Sequence, residues 1–223
     1  MPWLGGRKGN QQSKLFDDQH GSASWNLPLM QANYFVIDIE TSGFSPQTDI
    51  VLSVASAPVC LLDENPLANL HYELVGHANT TMVPPVIWEL TGLSPDDLRD
   101  QREWRDILYS TLQLSASRVW VAYHARHELS FLQKHARELW KLRLTPIVID
   151  AALVAQALFG TSTVPTLDEA CKQLGIPVGT RHRADEDVRM TVALWRQEVS
   201  LCEAIGLKTV GQVVEWTLAR VHG

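Results

Sequence analysis

The sequence predicts an α/β fold in which a mixed central sheet, containing an antiparallel meander, has helices on both faces. Three observations support this fold class. Apolar, β-branched segments come first, helical periodicities dominate the second half, and two further strand-like segments lie among the helices. We expect one domain over residues 31–223, preceded by a flexible N-terminal extension over residues 1–30 that is rich in Gly, Gln, Ser and Asp.

The expected strands are short and apolar. Residues 34–39, "YFVIDI", are aromatic and β-branched, as a buried strand should be. Residues 49–62 predict a second strand that runs towards a third, with Pro58 near the bend, and residues 70–76 predict a further strand. Later strands are expected at residues 118–122 and 147–150.

The expected helices follow from apolar residues at helical spacing. Residues 86–98 predict two short helices separated by a turn at Gly92, with Ser94 capping the second and Asp97 three positions on. Asp150, at the end of a strand, is expected to cap the helix that follows it. The other helices are expected at residues 102–114, 129–140, 151–159, 167–174, 185–205 and 210–221.

Composition is that of an ordinary globular protein, with 45% hydrophobic and 20% charged residues in a chain of 223. Cys60, Cys171 and Cys202 are too widely spaced for a disulfide framework or a zinc site, which favours free thiols in a reducing compartment. The first ten residues lack the apolar core of a signal peptide, and the longest apolar run is too short to cross a bilayer. We therefore expect a cytoplasmic protein.

The net charge of −6 argues weakly against a nucleic-acid partner. The argument has an exception, because bound cations change the balance. Four carboxylates that hold two divalent cations would bring the charge to −6 + 4 = −2. A metal-dependent nuclease of this size therefore need not be basic overall.

Two carboxylates occur in the segment "IDIETSG". In a strand, residues i and i+2 face the same side, so Asp38 and Glu40 project together. Two buried carboxylates without a partner repel each other, and a cation between them removes the repulsion. Oxygen ligands suit Mg²⁺ or Mn²⁺ better than zinc. The alternative is a strand that runs into a turn, with both acids in water.

The segment "RHRADEDVRMTVALW" predicts a helix with an inward-facing stripe that Asp187 begins. Asp185 and Glu186 lie on other faces and suit the electrostatics of a helix N-terminus. His182 precedes the helix in a loop. A histidine beside a carboxylate cluster is able to take a proton from an attacking water near neutral pH, although a lone loop histidine is more often a surface residue.

The pattern Asp-x-Glu-Thr-x-Gly in a strand, followed about 140 residues later by His-x-Ala-x-x-Asp at a helix start, resembles the DEDDh (DnaQ-like) 3′→5′ exonucleases. That family includes the proofreading epsilon subunit of bacterial DNA polymerase III and RNase T. The resemblance extends from Asn33 to about Glu198, and includes the helix–Gly–helix segment "LTGLSPDDL". It implies an RNase H-like fold and a mechanism that uses two Mg²⁺ or Mn²⁺ ions.

The resemblance also implies a role for each matched residue. Asp38 would bridge both metals, Glu40 and Asp187 would complete the shell of the first, and His182 would be the general base. Two cations ~4 Å apart stabilise the entering and leaving oxygens of an in-line displacement. The residues that follow the first strand would hold the terminal nucleotide, and the products would be 5′-mononucleotides. These substrate-binding residues are Thr41, Ser42 and Gly43.

The family's second motif corresponds to "AYHARHELSFL", residues 122–132. His124 stands at the position of a substrate-contacting Asn, and Glu128 stands where the family usually has Asp. The longer side chain adds one methylene, about 1.5 Å of reach. We expect weakened or shifted binding of the second metal rather than its loss. The alternative is that Glu128 only favours a helix N-terminus electrostatically.

Three weaker signals remain. Gln12, Leu15 and Phe16 fit a sliding-clamp-binding peptide, although a plain tail segment is the more frequent explanation of three matched positions. Trp3 and Trp88 are candidates for base stacking. The helix after Glu128 has a basic run over residues 134–143 that would suit a phosphate backbone, but such runs are more often solvated faces.

These observations favour a metal-dependent 3′→5′ exonuclease that acts on single-stranded nucleic acid, with DNA favoured over RNA. The alternative is a catalytically weak relative that binds nucleic-acid ends, or that associates with a polymerase or clamp. The Glu128 substitution favours this alternative, whereas the retained Asp38, Glu40, His182 and Asp187 oppose it. A dinucleotide-binding fold is excluded, because no Gly-x-Gly-x-x-Gly follows the first strand.

Overall fold

The computed structural model describes residues 25–221. Their sheet has five strands in the order β3-β2-β1-β4-β5. Strand β1 pairs antiparallel with β2 and parallel with β4, while β2–β3 is antiparallel and β4–β5 is parallel. The expected mixed sheet with an antiparallel meander is thus confirmed. The strands are β1 (Asn33–Thr41), β2 (Val51–Cys60), β3 (His71–Leu74), β4 (Val119–Ala122) and β5 (Val148–Asp150).

Seven α-helices lie within the described residues. They are α1 (Pro85–Thr91), α2 (Trp104–Leu114), α3 (Arg126–Trp140), α4 (Ala151–Phe159), α5 (Leu167–Gln173), α6 (Ala184–Ala204) and α7 (Val210–Val221). Gly92 ends α1 in the left-handed region at φ 68°, as the expected turn requires. Within residues 25–221, no helix is long and apolar enough to cross a membrane.

The prediction of a second short helix before residue 98 is wrong. Ser94 does bond Asp97, with its N–H and hydroxyl 2.8 and 2.6 Å from Oδ2 of that residue. The segment nevertheless forms turns, because the carbonyl of Leu98 accepts the N–H of His77 and Asp100 adopts a φ of 59°. A local capping interaction therefore forms here without a helix behind it.

The bend expected at Pro58 is also wrong, since β2 is one continuous strand. Strand β3 pairs only with Ser53 to Ser56. Beyond Ser56 the outer edge of β2 is unpaired among the described strands, and Pro58 lies in this part. Proline is tolerated there because its missing N–H removes no hydrogen bond from the ladder.

The two faces of β1 pack against different helices. Phe35 and Ile37 contribute to a core with α2 and α3, whereas Tyr34 and Val36 contribute to a core with α4, α6 and α7. The rings of Tyr34 and Trp195 meet edge to face at 5.4 Å in the second core. By the alternation of the strand, Asp38 and Glu40 fall on the face that α6 covers.

The chain before β1 packs against the start of α7. Leu29 is fully buried, and its N–H donates to the carbonyl of Lys208 at 3.0 Å. Gly211 is required beside Trp25, because a Cβ at position 211 would lie 2.3 Å from the indole nitrogen. Of the expected extension, residues 1–24 lie outside the described residues. All three cysteines are free thiols.

Candidate active site

Three of the predicted carboxylates converge at the end of β1. Asp38 and Glu40 project from the last residues of the strand, and Asp187 projects from the first turn of α6. One ligand oxygen of each residue lies within 4.8 Å of the other two. The pairing of α6 with this face of β1 therefore assembles an acidic trio from residues almost 150 positions apart.

Burial raises the pKa of every member of the acidic trio, and repulsion from neighbouring carboxylates adds to the effect. Burial raises the pKa of Glu40 to about 7, with the nearby Asp187 as the second cause. Burial likewise raises the pKa of Asp187 to about 6, although the Arg181 guanidinium opposes it. The pKa of Asp38 lies well above its usual value, through burial first and then through the charges of Glu128 and Glu40. The positive charge of Arg181 therefore does not offset the burial of the three carboxylates.

The donor set of the acidic trio fits a hard divalent cation. Its ligands are all carboxylate oxygens, as Mg²⁺ and Mn²⁺ prefer. Oδ1 of Asp187 is buried and has no hydrogen-bond partner in the part of the chain that the structure describes, while Oδ2 accepts from Arg181. A buried carboxylate oxygen without a partner is costly, and a cation ligand removes that cost.

Glu128 reaches the same region but is not one of the three converging acids. It lies in the first turn of α3, only 4% exposed, and its Oε2 has no partner among the described residues. Burial raises its pKa well above the usual value, with Asp150 and Glu40 adding to the effect. The structure therefore places Glu128 beside the acidic trio and buried, not in water at a helix end.

Asp150 has the expected capping role and a second one. Its Oδ1 accepts the N–H of Ala152 at 3.1 Å, which caps α4. The same oxygen accepts the N–H of His124 at 3.1 Å. His124 has a φ of 61°, a conformation that a non-glycine residue adopts at a cost. Asp150 thus fixes the turn that leads into the helix of Glu128.

His182 lies in the loop before α6 and lines the same cleft as the acidic trio. Its φ is 61°, so the loop turns sharply at this residue. Partial burial and the adjacent Arg181 lower its pKa below the usual value. The imidazole is therefore neutral near pH 7, which is the form that accepts a proton.

A cleft of about 840 Å³ connects these groups to an apolar wall. The wall consists of Phe44, Pro46, Ile87 and Leu90, and Phe44 is 91% exposed. His127 lies against this wall, with its ring centroid 5.9 Å from that of Phe44. The acidic trio thus lies in a cleft whose walls are partly apolar, as is typical of ligand-binding pockets.

The predicted substrate contacts differ in where they lie. Thr41, Gly43 and His124 line the cleft, and Oγ1 of Thr41 lies 3.2 Å from Nε2 of His127. The hydroxyl of Ser42 instead accepts the N–H of Ile50 at 3.0 Å and holds the loop. At Gly43, a Cβ would lie 2.5 Å from Oδ2 of Asp49, so a side chain there would require the Asp49 carboxylate to shift.

Sequence reasoning missed Arg181 and the apolar wall. Trp88, the expected stacking residue, packs against the small core of Leu52, Val83 and Leu98, while its neighbour Ile87 faces the cleft. The proposed stacking residue Trp3 and the clamp-like segment Gln12–Phe16 lie outside the described residues. In the basic run, Lys134 pairs with Glu138 at 3.2 Å and does not line the cleft.

The sequence profile of the exonuclease family matches residues 35–195, which contain every residue of the acidic trio, Glu128 and His182. The chain belongs to the exonuclease family. This assignment confirms what the three motifs indicate, and the substitution of Glu for Asp at position 128 does not remove the chain from the family.

Two kinds of relatives share this exonuclease domain. A DNA polymerase III PolC-type protein of Thermotoga petrophila is 22% identical over 190 residues, which are 85% of this chain and 14% of that protein. A 3′-5′ exonuclease DinG of Staphylococcus epidermidis is 24% identical over 183 residues, 82% of this chain and 20% of that protein. The chain therefore spans only 14% to 20% of the length of these curated relatives.

Solved structures of exonucleases show the same fold. Exonuclease X in complex with 5′ overhanging duplex DNA gives a TM-score of 0.62 at 19% identity, and the match covers 82% of this chain and 99% of that chain. E. coli exonuclease I in complex with a dT13 oligonucleotide gives 0.63 at 16% identity, with 78% and 42% covered. These similarities confirm the RNase H-like exonuclease fold of this family member.

Proposed function

We propose that this exonuclease-family chain hydrolyses phosphodiester bonds from the 3′ end of single-stranded nucleic acid, and that it depends on two Mg²⁺ or Mn²⁺ ions. DNA is favoured over RNA, and 5′-mononucleotides are the products. The observation that carries the proposal is the convergence of Asp38, Glu40 and Asp187 in an open cleft, where one buried carboxylate oxygen has no hydrogen-bond partner among residues 25–221.

The acidic side chains hold the cations in this proposal. Asp38, Glu40 and Asp187 supply the ligands for one ion, and Glu128 reaches towards a second from α3. Bound divalent ions stabilise the charge that develops on the phosphate and lower the pKa of the attacking water. The raised pKa values of the acidic trio support the assignment, because a cation restores these carboxylates to their ionised form.

His182 accepts a proton from the attacking water. The lowered pKa leaves its imidazole neutral at physiological pH, and the loop places it in the wall of the same cleft. A positioned general base contributes roughly 10²–10⁴-fold to a rate. His182 lies just before the start of α6, and Asp187 follows it by five residues in the first turn of that helix.

The apolar wall receives the terminal nucleotide. Phe44, Ile87 and Leu90 offer apolar surface on which a base is able to stack, and stacking is tolerant of base identity. This fits an exonuclease without base preference. The single-stranded preference is supported by the dT13 complex of exonuclease I, and the DNA preference by the names of the PolC-type and DinG relatives.

A second candidate function is a catalytically weak module that binds nucleic-acid ends or a replication partner. Two observations favour it. Glu128 lies outside the converging acidic trio, and Arg181 supplies positive charge beside Asp187 without a metal. The polymerase names of the much longer relatives also fit a domain that works within a larger assembly.

The deciding experiment follows single-stranded DNA labelled at its 5′ end in Mn²⁺, in Mg²⁺ and in chelator. The proposed enzyme produces a ladder that shortens from the 3′ end with either metal, and the ladder disappears in chelator and with Asp38→Ala. Glu186→Gln is the matched control, because Glu186 lies one position before Asp187 and pairs with Arg189 instead. Intact substrate in both metals, with binding retained, supports the second candidate.

A further inference from the structure

Arg181 forms a bridge between two carboxylates that lie on different helices. Its Nε donates to Oδ1 of Asp168 in α5, and its Nη1 donates to Oδ2 of Asp187 in α6 at 2.7 Å. The Asp187 end is nearly buried, with a side chain 7% exposed, while Asp168 is 32% exposed. Charged hydrogen bonds to a buried carboxylate are among the stronger ones in proteins.

The bridge determines which oxygen of Asp187 is available. Oδ2 is occupied by Arg181, and the buried Oδ1 has no partner within residues 25–221. A guanidinium that is held at two of its nitrogens keeps a fixed plane. The carboxylate of Asp187 therefore cannot rotate without losing a charged hydrogen bond, and Oδ1 remains the oxygen that is free to bind a cation.

The far end of the bridge lies on a rigid element. Asp168 is in the first turn of α5, next to a complete capping box. In that box Thr166 donates its N–H to Glu169 at 2.8 Å, and Glu169 returns its N–H to the Thr166 hydroxyl at 3.3 Å. The anchor of Arg181 is thus fixed by the backbone of α5.

We propose that Arg181 is a positioning residue for the cation site, that Asp168 acts through it, and that the bridge holds Oδ1 of Asp187 ready to bind a metal ion. The proposal rests on the metal dependence in the proposed function. Hydrogen bonds that orient metal-ligating carboxylates typically account for about 10–100-fold in metal affinity or activity. A positive charge this close to the site also repels a cation. If repulsion were the main effect of Arg181, its removal would strengthen metal binding instead of weakening it.

The test is calorimetric titration of the full chain with MnCl₂, without substrate. The proteins are wild type, Arg181→Gln, Arg181→Lys, Asp168→Asn and the control Arg183→Gln. Arg183 is a matched control because it has the same charge in the same loop and pairs with Asp185, not with the acidic trio. Lysine at position 181 keeps the charge but cannot direct two hydrogen bonds from one plane.

We expect the dissociation constant for Mn²⁺ to rise about tenfold or more in both Arg181 variants and severalfold in Asp168→Asn. Arg183→Gln should stay within about twofold of wild type, as an exposed pair contributes little. Saturating Mn²⁺ should restore the turnover of Asp168→Asn to nearly the wild-type value. If Arg181→Gln does not fold in a thermal-melt control, Arg181→Lys and Asp168→Asn decide the question.

Unchanged or tighter Mn²⁺ binding in the Arg181 variants overturns the proposal, and tighter binding shows that Arg181 competes with the ion. If the Arg181 variants bind Mn²⁺ more weakly but Asp168→Asn binds it as the wild type does, Asp168 has no part in positioning Arg181. These failures are distinct from failure of the proposed function. If the proposed function fails, the wild-type protein itself does not bind Mn²⁺. If only the role of Arg181 fails, the wild-type protein binds Mn²⁺ and the Arg181 variants bind it at least as well.

Discussion

The backbone N–H of His124 lies 3.1 Å from Oδ1 of Asp150, the carboxylate that also caps α4. One side chain therefore joins the end of β5 to the turn before α3, which contains Glu128. Because that turn has a φ of 61° at His124, its conformation depends on an external partner. A residue outside the acidic trio thus sets where the fourth acid lies.

Asp150→Ala should lower both stability and activity. Loss of the helix cap alone costs about 1 kcal/mol of unfolding free energy, and the orphaned N–H of His124 adds to it. Asp150→Asn keeps an acceptor oxygen and should lose less. Urea unfolding of both variants measures the difference. Equal unfolding free energies for Asp150→Ala and Asp150→Asn would show that the N–H groups of Ala152 and His124 do not depend on an acceptor at position 150.

His182→Ala should reduce turnover by about 10²-fold or more, because the general base is removed. Affinity for a single-stranded oligonucleotide should change little, since the apolar wall and the acidic trio remain. The measurement is single-turnover cleavage in saturating Mn²⁺ over a range of pH. Wild type should lose activity as the pH falls and His182 becomes protonated. Unchanged turnover in the variant would exclude His182 from the mechanism.

Glu128→Asp tests the substituted acidic position. The shorter side chain withdraws the carboxylate by about 1.5 Å from the acidic trio that it faces from α3. Aspartate is the family's usual residue at this position, and the space that its shorter side chain leaves would hold the second ion, so the Mn²⁺ concentration for half-maximal activity should fall by up to about tenfold. Glu138→Asp, in the same helix but paired with Lys134 on the surface, is the control. An unaltered metal dependence would show that the extra methylene is irrelevant.

The parts of the site that follow from local periodicity were predictable. The two-residue alternation of a strand places Asp38 and Glu40 on one side, and the helical repeat places Asp187 on the inner stripe of α6. These two rules need only the residues of one element, so the sequence is sufficient. Glu128 was instead assigned through the resemblance of residues 122–132 to the family's second motif.

The remaining parts depend on contacts between distant segments. Phe44 and Ile87 meet in one wall because the loop after β1 lies beside α1, and no pattern in either segment encodes that approach. Nothing in the sequence around Arg181 indicates its role, because its partner Asp168 lies on a separate helix. The bend predicted at Pro58 was wrong because the length of the neighbouring β3, which the sequence around Pro58 does not encode, determines whether proline is tolerated there.

The acidic trio should make stability depend on pH and metal. Its carboxyl groups have raised pKa values, so their contribution to stability is complete below the usual carboxyl range and is lost as the pH rises through about 6 for Asp187 and about 7 for Glu40. In chelator, the melting temperature should therefore fall between pH 5 and 8 by a few °C, roughly. Mn²⁺ should reverse the fall at pH 8 and act weakly at pH 5.

The matched control for this pH dependence is the double variant that combines Asp38→Asn with Glu40→Gln. Without two of the three titrating carboxyl groups, the chelated protein should lose less stability between pH 5 and 8, and Mn²⁺ should give little stabilisation. Thermal melts at each pH, with and without metal, provide the comparison. A wild-type melting temperature that rises with pH in chelator would contradict the direction of the pKa shifts.

Glu198 should destabilise the fold. It is fully buried in α6, neither carboxylate oxygen has a hydrogen-bond partner among the described residues, and burial raises its pKa well above the usual value. A buried polar group without a partner costs about 1–3 kcal/mol, and leucine has a similar volume. Glu198→Leu should therefore increase the unfolding free energy by about 1–2 kcal/mol at pH 7.

The gain from Glu198→Leu should grow with pH. A raised folded-state pKa makes the glutamate increasingly costly as the pH rises above its usual value of 4.5, because the unfolded chain ionises and the buried group does not. Gln197→Leu, exposed on the same helix, is the control for hydrophobicity alone and should change stability little. Urea unfolding of both variants at pH 5 and pH 8 separates the effect of the buried carboxyl group from that of hydrophobicity alone. Destabilisation by Glu198→Leu would mean that the carboxyl group has a partner that matters more than its burial.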